Sequence, residues 1–238
     1  MMETVSFPTD YSTLTFHLTE GIGLLRLSTP PSNKMSPLFF REFDAVINQI
    51  KDAPLVKALV ISGAGRHFSS GADLSLLMEE IIRNDKLQDG QMEQTIPESL
   101  VRNYQSLLAL EALPVPVIAA IRGVCLGSAL ELALFSHFRF CSEEAVFGLP
   151  ETTFNLVPGI GGMMRMSELS GKAVALEYIL RGKTFDASEA RKIGLVDQLL
   201  PRHDLLPVAI DFAAKIPTNY HPVKKSRYLK NYFKHDQT

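Results

Sequence analysis

Twice in this chain an apolar run rich in β-branched residues leads into a glycine-containing stretch and then a helix-forming segment. Ala58 to Ile61 precedes His67-Phe-Ser-Ser-Gly-Ala-Asp-Leu74, and Val115 to Ile121 precedes Gly123-Val-Cys-Leu-Gly-Ser-Ala-Leu-Glu-Leu132. Strands covered on both faces read as continuous apolar runs, so the order predicts strand, turn and helix within an α/β arrangement. Such turns leave backbone N–H groups unpaired and pointing outward. Two of them converging on one point would stabilise negative charge on a carbonyl oxygen, and losing one such donor typically costs about 100- to 1,000-fold in rate. Glycine between strand and helix also serves as a plain tight turn, so neither stretch by itself specifies chemistry.

The rest of the chain fits one core. Leu14 to Leu18 and Ile22 to Ser28 flank Glu20-Gly21 and predict a hairpin. Ser36-Pro37 supplies a cap and an N1 proline before Phe39, Phe43, Val46, Ile47 and Ile50, an amphipathic helix. Lys57 to Ser62 reads as a buried strand. Glu79 to Glu98 is densely charged, contains Gly90 and Pro97, and reads as a variable loop. Asp186-Ala-Ser-Glu189 is a capping box for a short helix ending at Gly194, and Leu195 to Leu200 closes the core. From Pro201 the chain reads as helical, and Leu205, Leu206, Ala209, Ile210, Phe212 and Ala213 are too apolar for a free surface, which predicts a subunit-contacting tail. The expected division is a core over residues 1–200 and a helical segment over 201–238; 238 residues with 46% hydrophobic content can bury a large core.

Several function classes recede on composition. A net charge of −2 gives no basic footprint for nucleic acid. Val115 to Ile121 is too short to span a bilayer, and Glu3 and Asp10 stand where a signal peptide would be basic and then apolar, so no membrane partner and a cytoplasmic location are expected. Cys125 and Cys141 lack CxxC spacing and read as buried free thiols. The six histidines are scattered, so no metal site is expected.

The ordered set Phe-Ser-Ser-Gly-Ala-Asp-Leu, then Gly-x-x-x-Gly-x-x-x-Glu-Leu-Ala from Gly123, then Phe147-Gly-Leu-Pro-Glu151, then Val157-Pro-Gly-Ile-Gly-Gly162 resembles the crotonase (enoyl-CoA hydratase/isomerase) superfamily from about Val5 to Leu200. The resemblance implies a ββα spiral core with a C-terminal helical segment, and an oxyanion hole built from the amides of Ala72 and Ser128. It implies two catalytic carboxylates, Glu131 and Glu151, holding one water, with Glu131 activating it for attack at C3 and Glu151 managing the proton at C2. Glu131 is one turn into its helix, which predicts a carboxylate close to that helix's positive end. Lys34, Ser70, Gly71, Asp73, Leu74, Gly127 and Gly159 match the family's substrate-binding positions. An acyl-CoA is the implied substrate, with coenzyme A part of it and no separate cofactor, and a homotrimer or homohexamer is the implied assembly.

Some residues depart from the family pattern. Gly127-Ser128-Ala129 replaces a run of three glycines, and Ser can still supply an N–H if its φ stays in an allowed region. His137 stands where Asp is common, which predicts a local packing change. The chain stops at Thr238, short for the family; Lys224, Lys225, Arg227, Lys230 and Lys234 are candidates for CoA phosphate contacts, against the plainer reading of a solvated basic tail. The related Clp protease fold raises Ser128 as a nucleophile, but the place where its histidine would follow holds Thr152, Thr153 and Phe154, and no Gly-x-Ser-x-Gly elbow is present. A non-catalytic acyl-CoA-binding subunit is expected to have lost a glutamate. Within the enzyme class, Δ3,Δ2-enoyl-CoA isomerisation competes with hydration, because it needs only one carboxylate shuttle.

Overall fold

A computed structural model describes residues 10–86, 97–217, 219–221, 225 and 232–233. Two strands, β1 (Leu14–Thr19) and β2 (Ile22–Leu27), form the predicted antiparallel hairpin. Glu20 and Gly21 both take positive φ, 53° and 88°, the turn geometry whose twist suits a two-residue hairpin. Helix α1 (Pro37–Lys51) follows, and the Ser36 hydroxyl accepts from Phe39 N–H as its cap.

The main sheet then grows by parallel pairing: β2 against β3 (Ala58–Gly63), β3 against β4 (Val117–Ile121), β4 against β6 (Phe138–Ser142) and β6 against β9 (Gln198–Leu200). Every residue of β3, β4 and β6 is buried, because both faces are covered. Alternation along the strands divides the core. Leu59, Ile61, Val117, Ala119 and Ile121 face a core with the α1 residues Phe39, Phe43 and Val46, whereas Ala58, Val60, Ile118 and Ala120 face the opposite side. A smaller sheet joins β5 (Val124–Leu126), β7 (Val146–Gly148) and β8 (Phe185–Asp186).

The structure amends three expectations. After β4 the chain does not go directly to a helix: Gly123, at φ 56°, turns it into β5 of the second sheet, and only then does α4 (Ser128–Phe135) begin. The densely charged segment is not a loop throughout. Helix α2 (Leu74–Lys86) runs into it and α3 (Glu98–Glu111) starts at its end, while residues 87–96 lie outside the described residues. Charge density misled here because a surface helix needs only one apolar stripe, and Glu, Leu, Met and Lys are all good helix formers. The apolar residues after Pro201 form α8 (Leu205–Lys215), whose Leu205, Ala209, Phe212 and Ala213 are buried on the second face of the chain's own sheet, with Phe212 edge-on to Phe138 at 4.9 Å.

His137 proves to be a structural link. Its Nδ1 accepts from Val117 N–H at 2.9 Å and its Nε2 lies 2.9 Å from Glu111 O, so these partners assign the neutral Nε2–H tautomer. Burial lowers its pKa from the usual 6.5. The folded state therefore resists protonation, and the stability it contributes is present above about pH 6.5 and lost as pH falls below that toward the depressed folded value. We expect the melting temperature to fall on that acid limb and the limb to flatten in His137→Gln, which keeps one donor and one acceptor; an identical limb in the variant would assign it to other groups.

Candidate active site

Two loops meet where the sheets diverge. Asn33, fully buried at φ 52°, clamps the first: its Nδ2 donates to Ala64 O at 2.8 Å, His67 O at 2.9 Å and Phe68 O at 3.2 Å. Ser69 N–H donates to Val124 O, Leu126 N–H donates to Ser69 O, and the Ser69 hydroxyl accepts from Gly71 N–H at 3.0 Å. Gly71 is required at φ 88°, where a methyl group would stand 2.4 Å from Leu126 O and 3.3 Å from Ser128 N. Met35 bridges Ala72, donating to Gly71 O and accepting from Asp73 N–H, which turns the Ala72 N–H to the other side.

The second loop places Ser128 as the first residue of α4, where its N–H has no helical acceptor. Gly127, at φ 53°, donates to Gly148 O at 2.9 Å and so ties this loop to β7. Ala72 and Ser128 line the same cavity, about 240 Å³, together with Ser70, Leu74, Gly127, Glu131, Glu151 and Gly159. Eight of the positions expected from the sequence are thus brought together. Gly71 lies behind the wall. Asp73 lines a larger neighbouring cavity, and its Oδ1 accepts from Ser75 N–H at the start of α2. Lys34 lines neither cavity and pairs with Asp73 at 3.5 Å.

Glu131 is 1% exposed, and its carboxylate is not held by its own helix. Its Oε1 accepts from Ile160 N–H at 3.0 Å and Gly162 N–H at 2.8 Å, at the start of α5 (Gly162–Ser170). Glu131 does stand in the first turn of α4, as expected, but the amides that hold its carboxylate come from the start of the neighbouring helix. Burial is the main cause that raises the Glu131 pKa to about 8, with the nearby Glu151 charge adding to it and the two amides opposing it.

Glu151 sits in a 3-10 turn, Pro150–Phe154, that Pro150 opens. Burial pushes its pKa up to about 7. Its Oε2 is buried and has no hydrogen-bond partner among the described residues, and its Oε1 approaches within 3.0 Å of where a methyl group on Gly127 would be. Near neutral pH the pair therefore stays partly protonated, with the proton favouring Glu131.

Sequence reasoning missed Asn33, Leu77, Leu100, Ile160 and Gly162. Leu77 and Leu100 wall the site from α2 and α3. The visible signal for Gly162 was its place in the Gly161-Gly162 pair, to which no task had been assigned. Of the basic tail, Lys225 is in the described residues; it pairs with Asp197 at 2.7 Å and stands over the Phe138 ring, with burial lowering its pKa to about 8. Its ammonium is thus committed to Asp197. Lys224, Arg227, Lys230 and Lys234 lie outside the described residues.

Two amides and two carboxyls thus gather around one cavity beside a largely parallel sheet. The enoyl-CoA hydratase/isomerase family model matches residues 17–238. A putative enoyl-CoA hydratase/isomerase of Bacillus subtilis (strain 168), YngF, is 38% identical over 202 residues, covering 84% of this chain and 74% of that protein. Among solved structures, DspI of Pseudomonas aeruginosa superposes with a TM-score of 0.78 at 28% identity, covering 94% of this chain and 87% of the other. An enoyl-CoA hydratase from Bacillus anthracis gives 0.77 at 27%, covering 95% and 92%. The chain belongs to the enoyl-CoA hydratase/isomerase family, within the crotonase superfamily. No helix among the described residues is long and apolar enough to cross a membrane.

Proposed function

We propose that the protein adds water across the C2=C3 bond of a 2-enoyl-CoA thioester. The observation that carries this reading is the meeting of two carboxyls of raised pKa, Glu131 and Glu151, with the Ala72 and Ser128 amides around one cavity. In this reading the thioester oxygen accepts from Ala72 and Ser128 N–H, which stabilises the enolate as it develops. In the reactive form the proton sits on Glu151: ionised Glu131 takes a proton from water as the water oxygen bonds to C3, and Glu151 delivers its proton to C2. Hydroxyl and proton are then both on the product, and one proton transfer from Glu131 to Glu151 restores the pair. The Ile160 and Gly162 amides oppose the burial that raises the Glu131 pKa to about 8, and so increase the population of the reactive form. The thioester itself acidifies the α-carbon, so the chemistry calls for no cofactor. Backbone groups of Ser70, Ala72 and Leu74 would meet the CoA moiety, with Lys34 beside them. A trimer or dimer of trimers and a cytoplasmic location belong to the same proposal.

One observation favours a second reading, Δ3,Δ2-enoyl-CoA isomerisation: the unpartnered Glu151 Oε2 is suited to carry a proton between C4 and C2. A panel of 2-enoyl- and 3-enoyl-CoA esters separates the two through the absorbance of the conjugated thioester. Hydration removes it from 2-enoyl substrates, isomerisation creates it from 3-enoyl substrates, and no change with any ester would overturn both. If only the Ser128 amide matters, Ser128→Gly should keep activity within about tenfold, whereas a hydroxyl nucleophile would lose several orders of magnitude. Near-complete inactivation of a folded Ser128→Gly would revive the covalent mechanism.

A further inference from the structure

The larger cavity, about 560 Å³, joins the catalytic one at Ala72, Leu77, Leu100 and Ser128. It runs between α1, α2 and α3, and its walls change character along its length. Met35, Pro37 and Phe40 lie toward the Ala72 end, because Met35 bridges Ala72 directly. Farther along α1 the lining becomes polar, with Arg41 and Asp44 facing Arg102, Asn103 and Ser106 of α3. Asp44 stands seven residues beyond Pro37, roughly 10 Å at the helical rise.

The polar end is organised. The hydroxyl of Ser106, a residue only 6% exposed, donates to Asp44 Oδ1 at 3.0 Å, and Asn48 Nδ2 donates to Asp44 Oδ2 at 3.1 Å. Asp44 is thereby fixed in place. Arg41 has no carboxylate within ion-pair distance among the described residues, and Arg102 has only the exposed Glu98 at 3.7 Å. Asp73 and Glu80 line the α2 side, so the local charge is mixed. An alkyl end placed here would displace water from these groups and return no hydrogen bond, whereas a polar end would replace the lost partners.

We infer that the cavity between α1 and α3 receives the distal part of the acyl group, and that the preferred acyl-CoA carries a hydrogen-bonding group, a hydroxyl or a carboxylate, beyond its reacting carbons. This rests on the proposed acyl-CoA chemistry, in which coenzyme A lies on the Ser70 side. The reacting carbons lie by Glu131 and Glu151 in the smaller cavity, and Leu77 and Leu100, which line both cavities, mark the passage from there into the larger one.

Binding of saturated acyl-CoA esters tests the inference without turnover. Hexanoyl, octanoyl and decanoyl esters would each be compared with their ω-hydroxy and ω-carboxy counterparts, on the wild type, Arg41→Leu and the double variant Asp44→Leu/Ser106→Ala. At the length that reaches Asp44, a polar end should bind about tenfold more tightly than a methyl end, the size of one net hydrogen bond. At least one variant should bring that ratio near unity, the hydroxy and carboxy arms showing which group the site takes, and circular dichroism would verify folding. Equal or better binding of the alkyl esters to the wild type would overturn the inference and leave the acyl-CoA reading standing. A variant loss shared equally by acetyl-CoA would give the cavity to pantetheine, also overturning it. If no CoA ester binds, both readings fall.

Discussion

Glu131→Gln and Glu151→Gln are each expected to slow hydration of a 2-enoyl-CoA by at least about 100-fold, the usual contribution of a general acid or base. The amide is isosteric, so both variants should fold. Stability offers an independent readout. The folded pKa of Glu131, about 8, lies above the ordinary 4.5, so its contribution is fully present below about pH 4.5 and is lost as pH rises through about 8. Glu131→Gln should therefore lose less stability than the wild type across that window, pairing a slower enzyme with a more alkali-tolerant fold. Glutamine's own NH₂ must then avoid the Ile160 and Gly162 amides by presenting its carbonyl to them. If the reaction is isomerisation instead, Glu151→Gln should abolish it while Glu131→Gln leaves most of it. Hydration unchanged in Glu131→Gln would contradict the two-carboxyl mechanism.

Gly162→Ala is expected to cost about as much activity as removing the Glu131 carboxylate, although it adds one methyl group outside the cavity wall. The methyl would stand 2.8 Å from Glu131 Cγ and 2.9 Å from its Oε1, closer than packed atoms tolerate. Gly162 is the first residue of α5 and its φ is not in the left-handed region, so the backbone itself accepts alanine. The strain falls on the carboxylate, which must leave one or both amide donors. Overpacking of this kind typically costs about 1–3 kcal/mol of stability. The expected result is at least about a 100-fold fall in kcat with a modest fall in melting temperature. Activity within a few fold of wild type would mean that the α5 amides do not position Glu131.

The sequence by itself determined the elements whose signals are local. Alternation around Glu20-Gly21, the Ser36-Pro37 cap and the Asp186 cap each depend on residues a few positions apart and formed as expected, although the Glu189 carboxylate of the predicted capping box pairs with Tyr178 and Lys192. The ordered motifs also marked Ala72, Ser128, Glu131 and Glu151, four residues from three separate segments, as one set, and the fold brings all four to one cavity. Tertiary structure decided what depends on distant partners. The charged run after Leu74 is helical in its first part although Leu74, Leu76, Met78 and Ile82 stay exposed, and α8 is apolar because it covers the second face of its own sheet. His137 is held neutral chiefly by burial, its ring fixed between Val117 N–H and Glu111 O. Above all, the amides that hold Glu131 come from Ile160 and Gly162, about thirty positions along the chain. Spacing along a chain carries periodicity and caps, but which helix start faces a buried carboxylate is set by how layers pack, and that information is shared among all the residues of the core.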